Sequence, residues 1–168
     1  MIVSLHVASG AAVGALAPSR RAAVLLGATM HLLGDRMPHE DIRDRRFELW
    51  SGVAALAALA LTRGPFDTAT IGAAAGSAPD LEHVLRLPRP GGRKLFPSHR
   101  IRGWHRSGGV PDWAQLLAAG VLLGLVLGSD PCFYGVAFAK KTSRFSGCGG
   151  ATYVNAIPAK SFVETMPL

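Results

Sequence analysis

Residues 2–17 read IVSLHVASGAAVGALA, an apolar run of mostly Ala, Gly, Val and Leu that contains a single histidine, His6. Residues of this kind over this length favour a helix. The sequence predicts an all-α protein, a small bundle of about five apolar helices within residues 1–128. The four further apolar stretches are Ala22–Gly34, Leu49–Thr62, Thr68–Ala78 and Trp113–Gly128.

The composition of the chain indicates a lipid environment. Charged residues make up only 17% of the 168 residues, whereas a soluble domain carries about 25%. Only Trp113–Gly128 approaches the length of about 20 residues that a spanning helix needs. The shorter stretches are either tilted or partial spans, or the helices of a compact soluble bundle. We predict membrane association, because Gly and Ala allow the close helix packing found in membranes.

The C-terminal part of the chain, residues 129–168, has a different character. It shows no clear helical period, and residues 147–150 are three glycines around a cysteine. Such a segment predicts an irregular or poorly ordered tail without an assigned function.

A first group of polar residues follows the second apolar stretch. His31 and Asp35 are four residues apart, so both side chains project from one face of a helix end. Pro38 then turns the chain, and His39 and Asp41 can fold back toward the same point. Imidazole nitrogen together with carboxylate oxygen is the ligand mixture of catalytic zinc. The alternative is a capped helix end with a hydrogen-bonded core histidine and a solvated acidic loop.

A second group follows the fourth apolar stretch in the same way. Asp80, Glu82 and His83 come directly after Pro79 and combine carboxylates with an imidazole. Asp80 has an alternative interpretation as the N-cap of a short helix. We interpret the repeated association of a helix end, a proline and mixed ligands as a sign of metal binding.

A third group precedes the last apolar stretch. His99 and His105 are candidates either to complete a metal site or to act as acid and base groups, and Arg102 and Arg106 are candidates for binding an anion by paired hydrogen bonds. Residues 86–106 include seven Lys or Arg residues and no acidic residue. The alternative interpretation is a basic loop attracted to anionic lipid. If the apolar stretches span a membrane, this side is the more basic one and therefore cytoplasmic.

The order of these elements resembles a family of small membrane-bound proteins described as metal-dependent hydrolases, whose founding member is a LexA-regulated inner-membrane protein. The resemblance rests on His6 in a Gly-rich first helix, on the segment 79–83 (Pro-Asp-Leu-Glu-His) and on the His99-Arg and His105-Arg-Ser pairs. Glu82 stands where the family has Asp, and the spacing of the last element is wider here. The resemblance implies an integral protein of the bacterial inner membrane with a hydrolytic metal site, to which His6 is a possible additional contributor.

A shorter resemblance concerns the second apolar stretch. The pattern His31-x-x-x-Asp35-x-x-Pro38-His39 is similar to a segment of zinc-dependent phospholipase C and related helical nucleases. In those enzymes the matching His and Asp bind zinc. This similarity implies a phosphoester as the substrate class and covers nine residues.

The sequence thus predicts a metal-dependent hydrolase at the membrane that acts on a phosphoester or lipid-type substrate. The cofactor is a divalent metal, zinc or alternatively manganese, and the partners are membrane lipid and an anionic substrate rather than nucleic acid. The competing hypothesis is a non-enzymatic membrane protein whose basic loop binds anionic lipid. The predicted metal ligands are His31, Asp35, His39, Asp41, Asp80, Glu82 and His83, the acid and base groups are His99 and His105, and the anion-binding residues are Arg102 and Arg106.

Overall fold

The computed structural model describes residues 1–85 and 88–129, and over these ranges the secondary structure is helical, without strands. The prediction of an all-α protein is therefore confirmed. The predicted tail lies outside the described residues apart from Ser129. The helices are α1 (Val3–Ala15), α2 (Arg20–Arg36), α3 (Arg45–Arg63), α4 (Thr68–Ser77), α5 (Leu81–Val84), α6 (Pro97–Arg100) and α7 (Asp112–Gly128).

Polar side chains mark where three of the long helices begin. The Ser19 hydroxyl accepts from the backbone N–H of Ala22 (3.2 Å), and the Asp44 carboxylate accepts from that of Arg46 (2.9 Å). The Asp67 carboxylate caps α4 in the same way. Such caps satisfy backbone donors that have no partner inside the helix. They explain why α2 and α3 begin before their apolar stretches, in charged first turns.

Helix α1 lies at the centre of the bundle and contacts α2, α3, α4 and α7. Its residues from Val7 to Ala11 are buried, and so is His6. The core around it consists mainly of small side chains, with Leu59 of α3 as its largest fully buried contributor. A helix that is apolar on all sides is expected in this central position.

The closest helix contacts are made through glycine. A Cβ atom on Gly72 of α4 would collide with the carbonyl oxygen of Gly10 and press on the backbone of Gly14, both in α1. A Cβ on Gly27 of α2 would collide with the carbonyl oxygen of Gly72. These three helices therefore pack backbone against backbone, and larger residues at these positions would force them apart.

One stripe of α2 faces this core. Ala23, Gly27, His31 and Asp35 follow one another at intervals of four residues and are all buried. The same periodicity that packs the small residues against α4 also turns the imidazole and the carboxylate inward. The polar pair is thus buried as a direct result of how the helix packs.

Across residues 1–85 and 88–129, none of the helices combines the length and the apolar composition that crossing a bilayer requires.

The outer faces of α2, α3 and α7 nevertheless carry many large apolar side chains. Leu61 is 86% exposed and Leu25 is 69% exposed. Soluble monomers rarely expose apolar patches that extend over several helices. The other strongly exposed members of this set are Trp50, Trp113, Leu117, Val121 and Leu125.

A glycine-to-alanine pair tests the packing of α1 against α4. We expect Gly72→Ala to lower the free energy of unfolding by about 1–3 kcal/mol, because the added methyl group meets backbone atoms that cannot move aside. Gly120→Ala in α7 is the matched control. Its methyl group meets open space, so better helix propensity should raise stability by about 0.5–1 kcal/mol. Denaturant unfolding measures both, and a Gly72→Ala protein as stable as wild type would contradict the packing.

Candidate metal centre

Histidine and carboxylate side chains from both halves of the described chain meet at one end of the bundle. Helices α1 and α2 contribute His6, His31 and Asp35, and the loop after α2 contributes His39. The turn and short helices after α4 and the loop before α7 supply the remaining members, which are Asp80, His83, His99 and His105.

A first donor group consists of His31, Asp35 and His99. The Nε2 atoms of His31 and His99 lie 3.0 Å and 3.4 Å from Oδ2 of Asp35. Around one zinc ion with ligand bonds of about 2.0–2.1 Å, tetrahedral ligand atoms are separated by about 3.4 Å. His31 Nε2 and Asp35 Oδ2 are both buried without a hydrogen-bond partner among the described residues. The spacing and the unpartnered lone pairs fit a divalent cation.

The hydrogen bonds of three histidine rings leave the Nε2 atom of each ring free to bind a cation. A carbonyl or carboxylate oxygen can only accept, so each Nδ1 that contacts one must carry the proton, and the neutral ring keeps its lone pair on Nε2. Histidine ligands of metals are typically held by such a second contact. The three donations are from His31 to the Gly76 carbonyl (2.9 Å), from His39 to the Met37 carbonyl (2.6 Å) and from His99 to Glu82 Oε1 (2.5 Å).

Glu82 holds His99 in place. Its Oε1 accepts from the His99 ring, and its Oε2 accepts from the backbone N–H of Leu95 (2.8 Å). The residue is 1% exposed. Both oxygens thus have a hydrogen-bond partner, and Glu82, predicted as a ligand, is not among the residues whose possible ligand atoms converge.

The protonation of His99 responds to the same neighbours. Burial lowers the pKa of His99, but the carboxylates of Asp35 and Glu82 outweigh this effect and raise the pKa above its usual range. Because a proton and a cation compete for Nε2, the affinity for a cation should fall as the pH falls.

A second donor group shares Asp35 with the first and adds His39 and His105. The two Nε2 atoms of these histidines are 3.0 Å apart. Asp41 lies at the edge, with Oδ1 3.4 Å from His39 Nε2 and a side chain that is 60% exposed. The amino group of Met1 lies 3.2 Å from Asp35 Oδ1 and also contacts the His39 ring. The position thus attracts positive charge.

His6 and Asp80 lie beside the first group, and Asp80 is itself a possible ligand, with His6 and His31 or with His83 and His99. The His6 ring stacks on His31 at 4.1 Å between centroids, and its Nε2 donates to Asp35 Oδ1 (3.1 Å). Asp80 Oδ1 is 3.7 Å from His99 Nε2, and its Oδ2 is buried without a hydrogen-bond partner. Burial raises the pKa of Asp80 to about 6. This carboxyl group can therefore exchange a proton near neutral pH.

His83 is the outermost histidine of the cluster. Its Nε2 lies 3.4 Å from His99 Nε2, and Lys94 Nζ lies 3.4 Å from its Nδ1. Burial, followed by the charges of His99 and Lys94, lowers the pKa of His83 to about 4. The ring is therefore neutral at pH 7, as a ligand or hydrogen-bond donor to substrate would require.

A cavity of about 600 Å³ opens next to these side chains. Its lining includes Asp35, Asp80 and His99 at one end, and Arg45 and Lys94 as cations. Sequence reasoning counted Lys94 only as one of the seven basic residues of 86–106 and did not single out Arg45, which lies in a run of charged residues at the start of α3. Arg102 and Arg106, the predicted anion-binding residues, are exposed and are not among the lining residues.

Comparison of the chain with family models, curated proteins and solved structures gives no significant match. The two family resemblances therefore remain expectations from sequence, and the arrangement of the side chains carries the functional proposal.

Replacing the carboxylate that the two donor groups share should abolish metal binding. We expect wild-type protein to retain about one or two zinc ions per chain, and Asp35→Asn to lower zinc affinity by more than about 100-fold. Glu40→Gln is the control, because this exposed carboxylate neighbours the site in sequence but belongs to neither group. Elemental mass spectrometry and zinc titration report the difference. Equal zinc content in both variants would contradict the assignment.

Removing the support of His99 should weaken only the first donor group. In Glu82→Gln the side chain keeps one acceptor oxygen, so it cannot serve both His99 and the Leu95 backbone N–H. We expect a loss of about 10–100-fold in zinc affinity at the first group, since such orienting contacts typically contribute this much. The second group should bind as in wild type. A titration curve identical to that of wild type would refute the positioning role.

Proposed function

We propose that this chain is a metal-dependent hydrolase that acts on a phosphoester at a membrane. The observation that carries the proposal is the first donor group. His31 Nε2, His99 Nε2 and Asp35 Oδ2 converge, and the two rings are held by hydrogen bonds from their other nitrogens. Structural zinc sites use four protein ligands, whereas catalytic sites use three and keep one position open.

The chemistry of the donors favours zinc, with manganese as the alternative, since imidazole suits zinc and carboxylate suits both. His31, Asp35 and His99 would hold the ion. When bound, it would polarise a phosphoryl oxygen and lower the pKa of a water molecule at the open position. In this proposal His99, predicted as an acid or base, serves as a ligand.

The neighbouring side chains have separate tasks. Asp80 lines the cavity, burial raises its pKa to about 6, and it would accept the proton from the attacking water. His6 donates to Asp35 Oδ1 and fixes the orientation of that carboxylate. His105 lies with His39 and Asp35 in the second donor group, where a second ion would bind. Two-metal sites of this kind are common in phosphoester hydrolysis.

Two cations of the cavity support an anionic substrate. Arg45 and Lys94 line it beside four carboxylates that a bound divalent ion would partly neutralise, namely Asp35, Asp41, Glu48 and Asp80. A phosphoester matches this arrangement because both cations donate charge-assisted hydrogen bonds to phosphate oxygens.

The exposed apolar faces of α2, α3 and α7 support association with a membrane. Side chains such as Leu61 and Trp50 are largely exposed on the isolated chain. Burying them against lipid, or against another apolar surface, would remove this area from water.

A non-enzymatic lipid-binding protein is the second candidate. The observation that favours it is the set of arginines that the cluster does not use: Arg93, Arg100, Arg102 and Arg106 are all exposed. Exposed basic residues attract anionic lipid headgroups. Under this hypothesis, replacing these arginines with glutamine weakens binding to anionic vesicles, whereas replacing the histidines has no effect.

Hydrolysis of a chromogenic phosphodiester by the zinc-loaded protein tests the enzymatic proposal. We expect Asp80→Asn to keep its zinc but to lose about 10²–10⁴-fold in turnover, because a proton acceptor is lost while the ligands remain. Glu40→Gln should react like wild type.

Chelation should abolish the reaction, and zinc should restore it. The proposal fails if turnover is unchanged in Asp80→Asn or if it survives complete removal of the metal.

A further inference from the structure

The cavity beside the donor groups has a second, apolar end. Beyond Arg45 and Glu48, its lining residues on α3 are Leu49, Gly52, Val53 and Leu56, spaced three, four and seven positions from the first. This spacing places them on one face of the helix. The face runs from the neighbourhood of Arg45, at the start of α3, toward the middle of the bundle.

Other elements add apolar residues to the same cavity. These are Val3 of α1, Leu81 and Val84 of α5, and Ile101 after α6. Val84 is 46% exposed and Ile101 is 50% exposed. Large apolar side chains that line a cavity while remaining this exposed leave apolar surface for a ligand to cover.

Gly52 brings helix α3 close to α1. It is buried, and a Cβ atom there would collide with the side chain of Val3. The apolar end of the cavity is thus bounded by a tight contact between α3 and α1.

We propose that the cavity binds a single-chain amphiphilic phosphoester, with its phosphate between the donor groups, Arg45 and Lys94 and its hydrocarbon tail along the apolar face of α3. This inference rests on the proposed hydrolase function and adds the substrate class. The anionic and apolar ends belong to one continuous cavity, so one molecule can satisfy both. A volume of about 600 Å³ suits a ligand of drug size and therefore one tail rather than two.

Binding of alkyl phosphonates, which cannot be hydrolysed at the P–C bond, tests the tail site on the full zinc-loaded protein. Methyl, butyl, hexyl and octyl phosphonate are titrated as monomers by calorimetry. We expect affinity to rise about fourfold per methylene, the effect of burying each group from water.

A variant that fills the tail site provides the decisive comparison. Val53 is 46% exposed, so Val53→Trp can be introduced without rebuilding the core. We expect it to bind zinc and methyl phosphonate like wild type and to lose the dependence on chain length. Ala54→Trp is the matched control, because Ala54 is exposed on the same helix and does not line the cavity.

The outcomes separate this inference from the proposed function. If wild type binds zinc and cleaves a short phosphoester but shows no chain-length dependence, or if Val53→Trp keeps that dependence, the tail site is refuted and the hydrolase stands. Tighter binding of two-chain phosphatidic acid than of octyl phosphonate would also refute a single-tail site. Absence of zinc binding and hydrolysis in wild type overturns the proposed function itself.

Discussion

The backbone contact between α1 and α4 is the constraint on which the site depends. Gly10 and Gly14 of α1 and Gly72 of α4 let the two helix backbones come into direct contact. A Cβ atom at any of these positions would collide with backbone atoms of the other helix. At this distance His6 of α1 stacks on His31 of α2, and the end of α4 places Asp80 beside both. Wider spacing would separate ligand atoms whose fit to one cation depends on differences of a few tenths of an ångström.

Without a bound cation, the buried polar groups of the cluster lower the free energy of unfolding. Among residues 1–85 and 88–129, Oδ2 of Asp35 and of Asp80 and one ring nitrogen each of His6 and His31 are buried without a hydrogen-bond partner. Burying such groups opposes folding unless a partner of opposite charge is present. Groups held in this way concentrate at functional sites, where binding of the ligand recovers the free energy.

Sequence patterns were sufficient where one helix determines the geometry. The five apolar stretches correspond to α1, α2, α3, α4 and α7, and the interval of four residues placed His31 and Asp35 on one buried face. The sequence left Asp80 open between a cap and a ligand. In the structure its side chain makes no capping hydrogen bond, which removes the capping interpretation.

What the sequence could not supply are relations between segments far apart in the chain. That Glu82 contacts His99 depends on where α6 lies relative to α5. Arg45 lies at the start of a helix, in a run of charges typical of a solvated surface, and reaches the cavity only because α3 packs against α1. The spacing of residues within one motif does not predict contacts between distant segments.

The cluster joins segments that lie far apart in the chain, and this separation determines when the cluster can be completed during synthesis. His39 and His105 are 66 residues apart, and Gln115 of α7 accepts from the backbone N–H of Ile2 across 113 residues. Contacts between such distant segments form only after the intervening chain has been ordered. As the chain leaves the ribosome, His31 and Asp35 emerge long before His99 and His105. If the cluster binds a cation as proposed, tight binding would therefore come late in folding, after α6 and the loop before α7 have docked.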